Sequence, residues 1–355
     1  MGDSMKIEKR IKILSMLIIL CSVSLVSSAS PHLPAAYLIT GVPQYKQLNG
    51  LSCGPAALET MFDYRGEDID QKAIADVARS SSSGTWTWDM VRTGHFSHLS
   101  KANGSFFPHD APVAGFSQRP LGYASFSYSS DTFWWSELKG LIAADIPVLL
   151  LMKYARNDDT GHYRIIAGYD ENKKEIYFID PWGRDQGHVT NPDGTVTWTM
   201  SDFMSAWNYT KYGTPHPYWG AIMMPWSMNL QTTDRTKSGS MTVTAQIKYP
   251  CPEPFDCSAY PASNTSAQIH LSSGMQLPAN SHDIIDIGSL AAGKSATFSW
   301  KVHVDPDAAG STIAVSAGGL VSGAVPEIYW NGDQVSYPAY NYTDEIGGKA
   351  SISIG

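Results

Sequence analysis

The strongest constraint on the fold is a change of pattern near residue 230. From Met241 onward, apolar and polar residues alternate in short runs: MTVTAQIKY, SAQIHLSS, ATFSWKVHV and STIAVSAGG. A period of two turns one side of a strand inward and the other outward, and turn residues separate the runs. IYWNGDQV carries Asn331-Gly332, a dipeptide that closes tight hairpins. Residues 241–355 are therefore expected to form an all-β sandwich of roughly immunoglobulin size. The polar stretch QTTDRTKSGS, residues 231–240, has the composition of a linker. A chain of 355 residues is too long for one ordinary core, so a first domain over residues 30–230 fits with the second.

That first region mixes two periodicities, which makes its class α+β. GPAALETMFDYRG predicts a helix starting at Cys53 and ended by Gly66. DIDQKAIADVARS predicts a second, capped by Asp68 or Asp70, and a third begins near Trp88. DTFWWSELKGLIAA has a helical apolar stripe with Asp131 as expected N-cap, and MSDFMSAW is a short helix. IPVLLLMKY, HYRIIAGYD, KEIYFID and YWGAIMMPW are expected strands.

The N-terminus has the features of a secretory signal peptide over residues 1–29. Lys6, Lys9, Arg10 and Lys12 precede the apolar run ILSMLIILCSVSLV, and SSA offers small residues for cleavage. An uncleaved anchor helix is the alternative, although the run is short for a bilayer. Cleavage would leave 21 basic residues against 31 acidic ones, a net charge of −10. That balance, with no Lys/Arg cluster after the N-terminus, excludes an ordinary nucleic-acid binder. The expected location is secreted or on the extracellular cell surface.

Export makes the cysteine count informative. Of Cys21, Cys53, Cys251 and Cys257, the first leaves with the signal. Cys251 and Cys257 bracket the turn-prone PEPFD and are expected to pair in an oxidising compartment. Cys53 is then the odd thiol. Export also gives meaning to the Asn-x-Ser/Thr sequons at Asn103, Asn208, Asn264 and Asn341, any of which would serve a glycan.

Cys53 opens a helix, where the positive end of the helix dipole stabilises a thiolate. Gly54 allows close approach of another backbone, and Pro55 sits in the first turn, where its missing N–H costs nothing. A buried structural cysteine that happens to precede a helix fits the same stretch. Gln47, six residues earlier, could supply an amide N–H to an oxyanion, with Gln44 a nearby competitor.

A thiolate needs a base, and His162 stands out among ten histidines by context. It opens HYRIIAGYD, which should pair antiparallel with KEIYFID. If Tyr169 faces Glu175, His162 and Asp180 share one face, directly or diagonally across. Asp180 could then fix the imidazole tautomer. An odd register would put them on opposite faces.

Other features carry less. His95 and His98 at i, i+3, with His109 beyond, lack further ligands and are expected to be solvated loop residues. Trp86, Trp88, Trp134 and Trp135 could line a peptide cleft or belong to a core. There is no glycine-rich phosphate loop, and neither cofactor nor metal is implied.

Taken together, VPQYKQLNGLSCGPAALETMF, GHYRIIAGYD and YFIDPWG resemble the double-glycine, bacteriocin-processing group of papain-fold cysteine peptidases, Peptidase_C39-like, over roughly residues 40–185. The resemblance implies a papain-like fold, with N-terminal helices packed on an antiparallel sheet. It also implies an oxyanion donor at Gln47, a nucleophile at Cys53, a general base at His162 and an orienting carboxylate at Asp180. Papain itself has a second cysteine soon after the nucleophile, absent here, and Ser52 stands where many relatives have an acidic residue. Leader-processing relatives are often fused to membrane-spanning transporters. No such region is visible, so cleavage at a double glycine does not carry over.

The expected activity is therefore hydrolysis of peptide bonds in a peptide or protein substrate. An acyltransferase on the same scaffold, or an inert peptidase-like surface binding protein, are the alternatives. A cell-surface or glycan contact through the C-terminal domain is a further expectation.

Overall fold

Among the described residues, helices lie on both faces of one large sheet, which is followed by two four-stranded sheets and a two-stranded hairpin. The computed structural model describes residues 33–100, 119–182, 189–191, 193–211, 217–233, 239–306, 308, 310–330, 333–337 and 339–354. The expected signal segment with Cys21, the positions Asn103 and His109, and the Asn331-Gly332 turn lie outside them.

The large sheet holds eight strands: β1 (Ala36–Leu38), β2 (Ala124–Tyr128), β3 (Val148–Ala155), β4 (Asp158–Asp170), β5 (Glu175–Ile179), β6 (Val189–Thr190), β7 (Val196–Thr199) and β8 (Gly220–Met224). Their order is β2-β8-β3-β4-β5-β7-β6, all antiparallel, with β1 extending the β3 side of β4. Helices α1 (Cys53–Tyr64), α2 (Gln71–Val77) and α3 (Thr87–Gly94) cover one face, and α4 (Trp135–Ala143) and α5 (Met200–Trp207) the other.

Alternation in β3 explains the two faces. Leu149 and Leu151 pack with Ala57, Leu58, Met61 and Phe62 of α1 and Met90 of α3. Val148, Leu150 and Met152 pack with Leu138 and Ile142 of α4 and Phe203 and Trp207 of α5. Period two in the strand thus meets period 3.6 in each helix layer.

Only some caps follow local chemistry: among the described helices Asp70 and Thr199 accept at the starts of α2 and α5, whereas Ser52, Trp86 and Trp134 make no side-chain cap bond at α1, α3 and α4. Asp70 accepts from the Lys72 N–H at the start of α2, as a short carboxylate should. Gly66, at φ +90, follows the end of α1 in the left-handed region. Asp131, in contrast, does not cap α4, which begins four residues later. There the Trp134 indole donates to the Tyr218 carbonyl at 2.9 Å and packs at a tilt against the Trp207 ring, so tertiary packing fixes the chain outside the helix until Trp135.

The remaining strands are β9 (Ser227–Thr232), β10 (Ser240–Lys248), β11 (Ala262–Leu271), β12 (Met275–Gln276), β13 (Ile284–Leu290), β14 (Ser295–Val304), β15 (Thr312–Val325), β16 (Ile328–Trp330), β17 (Asp333–Tyr337) and β18 (Tyr340–Ser353). They form one sheet β12-β14-β10-β9, another β13-β11-β15-β18, and a hairpin of β16 with β17. The alternation read from the sequence is visible in burial, as in β10, where Met241, Val243, Ala245 and Ile247 point inward. The first residues of the expected linker, Gln231 and Thr232, instead pair in β9 against β10. Cys251 and Cys257 are disulfide-bonded. Asn208, Asn264 and Asn341 are exposed.

All of Pro34–Gly355 clusters as one unit, because β18 is stitched to the first region. The Gly122 N–H donates to the Glu345 carbonyl at 2.6 Å, and the Gly347 and Trp226 N–H groups complete the seam at 3.0 and 2.9 Å. Gly348 permits this approach, since a Cβ there would lie 2.2 Å from the Trp226 carbonyl oxygen.

Candidate active site

The β4–β5 hairpin decides where the chemistry lies. Next to the turn Asp170 pairs with Glu175 and Tyr169 with Ile176, one residue out of step with the pairing read from the sequence. A bulge at Ala167 then absorbs one residue, and Ile166 pairs with Phe178 and Ile165 with Ile179. Beyond the bulge the register is the even one expected. Arg164 falls opposite Asp180, and His162 lies diagonally from it on the same face.

Both side chains use that placement. The His162 Nε2 donates to Asp180 Oδ1 at 2.8 Å, and the Arg164 Nε donates to Oδ2 at 2.7 Å. The Trp182 N–H adds a third bond to Oδ1 at 2.9 Å. The Asp180 side chain is only 1% exposed. Burial alone would raise its pKa, but the charges of Arg164 and His162 and these bonds hold it well below the usual 3.8. Arg164 is itself fixed, donating to the Lys153 and Tyr154 carbonyls at 2.9 and 2.6 Å and lying over Trp198. It was not among the residues singled out from the sequence, although the same register arithmetic places it directly across from Asp180.

On its other side His162 is coupled to the Cys53 thiol, each group shifting the titration of the other. Cys53 is a partly exposed free cysteine at the first residue of α1. Burial pushes its thiol up. The His162 bond and charge, then the Tyr163 and Gly54 N–H groups, outweigh that and leave it below the usual 9.0. For His162, burial and Arg164 act downward, while Asp180 and Cys53 act upward and carry it above the usual 6.5. The opposed shifts favour thiolate and imidazolium together.

Gln47 stands on an adjoining loop. Its backbone N–H donates to the Pro181 carbonyl at 2.8 Å, beside Asp180. Its side-chain amide is turned to the Asn49 carbonyl, 2.6 Å away, which occupies one of its two amide hydrogens. The competitor Gln44 donates to the Asp193 carbonyl.

A cavity of about 290 Å³ opens at Cys53. Leu51, Trp86, Leu151 and Tyr163 supply apolar surface, and Gly50, Ser83, Gly84, Thr160 and Gly161 its backbone-rich parts. Of the four tryptophans considered, Trp86 lines the cavity. Trp134 is core, Trp135 packs on Tyr169 and Phe203, and Trp88 is exposed. His95 is not a solvated loop residue. It is fully buried, bonded to the Ser125 carbonyl and flanked by Tyr260 and Tyr342, and burial lowers its pKa to about 3. His98 is exposed and bonded to the Pro120 carbonyl. Among the described residues, no group of three His, Cys, Asp or Glu side chains is placed to hold a metal.

Comparison with known proteins follows the same segment. Residues 39–215 match the Peptidase_C39 like family. Among solved structures, the chain is similar to xylellain, a cysteine protease from Xylella fastidiosa, at 14% identity and a TM-score of 0.39, covering 54% of this chain and 87% of that one. It is also similar to the peptidase domain of Streptococcus ComA, a bifunctional ABC transporter of a quorum-sensing pathway. That match has 15% identity and a TM-score of 0.32, over 52% and 98% of the two chains. A double glycine motif protease from an AMS/PCAT transporter, solved in complex with the leader peptide, matches at 14% identity and a TM-score of 0.31, over 53% and 98%. No curated protein matches the chain. Over residues 39–215 the chain thus belongs to the Peptidase_C39 like family and is a cysteine-type peptidase.

Proposed function

We propose that this is an exported peptidase that hydrolyses peptide bonds through Cys53, His162 and Asp180. The observation that carries the reading is the convergence of three groups: Asp180 is bonded to His162, His162 is electrostatically coupled to Cys53, and Cys53 lines a largely apolar cleft. The Cys53 thiolate attacks the substrate carbonyl carbon and forms a C–S bond. The oxyanion that develops takes donors from the first turn of α1, where N–H groups lack intrahelical acceptors, and from the remaining amide hydrogen of Gln47. His162 gives its proton to the leaving amine as the C–N bond breaks. It then takes a proton from water, which attacks the thioester and regenerates the thiol. Asp180 holds the ring in the tautomer this requires.

The domain assignment belongs to the same proposal: a signal peptide at 1–29, a papain-like catalytic domain from residue 30 and a C-terminal β-sandwich, which through β9 takes in Ser227–Thr232 and so the start of the expected 231–240 linker. Export is supported by the charged and apolar N-terminus and by the Cys251–Cys257 disulfide. The size and lining of the cleft suit a peptide with an apolar side chain next to the scissile bond.

Cys53→Ala is the test. The variant should lose both hydrolysis of an apolar peptide library and labelling by a thiol-directed electrophile. Hydrolysis that survives the substitution sinks the reading, and transfer to added amines in place of hydrolysis would make the protein an acyltransferase.

A further inference from the structure

The C-terminal strand β18 reaches the active site through buried charge. Arg79 and Asp89 form a bidentate pair at 2.7 and 2.9 Å, with side chains 2% and 1% exposed. Asp89 lies in the first turn of α3. The Tyr340 hydroxyl, from the first residue of β18, donates to Asp89 Oδ1 at 3.2 Å, and Arg79 lies over the Tyr340 ring at 4.6 Å. One turn along α3, Arg92 pairs with Asp344 of β18 at 3.2 Å, and the Ser100 hydroxyl donates to the same carboxylate at 2.7 Å. Asp344 is completely buried. Such groups are stable only while every partner is in place, so β18 and α3 are locked together.

From α3 the contact continues to the sulfur. A Cβ on Gly54 would lie 2.8 Å from Met90 Sδ and 3.1 Å from Thr85 Cβ, so the start of α3 rests directly on the residue after Cys53. The Thr85 carbonyl accepts the Tyr163 hydroxyl at 2.9 Å. The Tyr163 and Gly54 N–H groups are among the influences that lower the Cys53 thiol pKa. The segment Ser82–Trp86, immediately before α3, is one wall of the cleft.

We propose that Tyr340 is a positioning residue for Cys53: by holding Asp89, it seats α3 against Gly54 and Thr85 and so fixes the N–H donors around the thiolate. The C-terminal sheets are then part of the catalytic unit rather than a detachable module. The inference rests on the reading of Cys53 as nucleophile.

The test compares full-length Tyr340→Phe, which keeps the ring and removes only the hydroxyl, with the wild type. Lys349→Ala is the control, since that amine on the same strand pairs with Glu67. The measurement is the rate of Cys53 alkylation by iodoacetamide as a function of pH. Tyr340→Phe should react about three- to tenfold more slowly near pH 6, the span of one lost hydrogen bond, with its midpoint moved to higher pH. Lys349→Ala should match the wild type. Wild-type rate and midpoint in Tyr340→Phe overturn the proposal, and so does equal slowing in both variants, which would mark general loosening. If Tyr340→Phe does not fold, Ser100→Ala probes the other half of the link. Slowing is expected there, and a wild-type rate overturns the proposal. Alkylation needs no peptide turnover, so a wild type that alkylates but does not hydrolyse counts against the peptidase reading alone.

Discussion

Replacing Asp180 by Asn keeps the shape of the side chain and removes its charge, which tests the centre of the site. The carboxylate accepts three bonds, from His162, Arg164 and the Trp182 N–H. A carboxamide offers one oxygen and one NH2 group. Arg164 cannot lose its proton, so it retains the oxygen, and the NH2 group is left facing His162 Nε2. The imidazole must then carry its proton on Nδ1 while Nε2 accepts from the carboxamide, and no ring nitrogen is left to take the thiol proton. The imidazolium also loses its counter-charge. Two unit charges about 4 Å apart at an effective dielectric constant of about 20 interact by about 4 kcal/mol, or roughly a thousandfold in rate or equilibrium. Asp180→Asn should therefore lower kcat/KM on a peptide substrate by about a thousandfold. It should also move the pH midpoint of Cys53 alkylation upward. Both are read from initial rates across pH, with circular dichroism confirming the fold. Activity within tenfold of the wild type and an unmoved midpoint would refute the assignment of Asp180 to His162.

Three further outcomes follow from the same geometry. Activity should be bell-shaped in pH, rising as Cys53 loses its proton below the usual 9.0 and falling as His162 loses its own above the usual 6.5. For stability the signs differ by group: Asp180, held low, contributes above about 3.8, and that contribution is lost as pH falls through its folded value. His162, held high, contributes fully below about 6.5 and loses that contribution as pH rises through its folded value. A flat activity profile between about pH 4 and 9 would contradict the pair. Gly54→Ala should cost about 1–3 kcal/mol in urea unfolding, because its methyl would press on Met90 Sδ at 2.8 Å. An unchanged midpoint would mean that α3 yields freely there.

How much of this was legible from residues alone differs by element. The start of α1 at Cys53, the cap at Asp70 and the alternation of β10 are local, and each rests on interactions within a few residues. The pairing of His162 with Asp180 was legible as a face, because side-chain direction in a hairpin depends only on parity. The turn itself is one residue out of step, and the bulge at Ala167 that corrects it has no signature a single sequence displays. The late start of α4 has the same character, since Trp134 answers to the Tyr218 carbonyl and not to Asp131.

By itself, then, the sequence marked out the candidates Gln47, Cys53, His162 and Asp180, and it determined the α+β class of the first region and the strands of the last. Those depend on spacing, periodicity and residue chemistry along a short stretch of chain. Only the tertiary structure decided that Arg164 shares Asp180 with His162, that Trp86 and not Trp134 faces the cleft, and that His95 is buried. It also decided that Asp89 meets Tyr340, 251 positions away. Charges buried at such separation are settled by which surfaces exclude water together, and no local pattern carries that information.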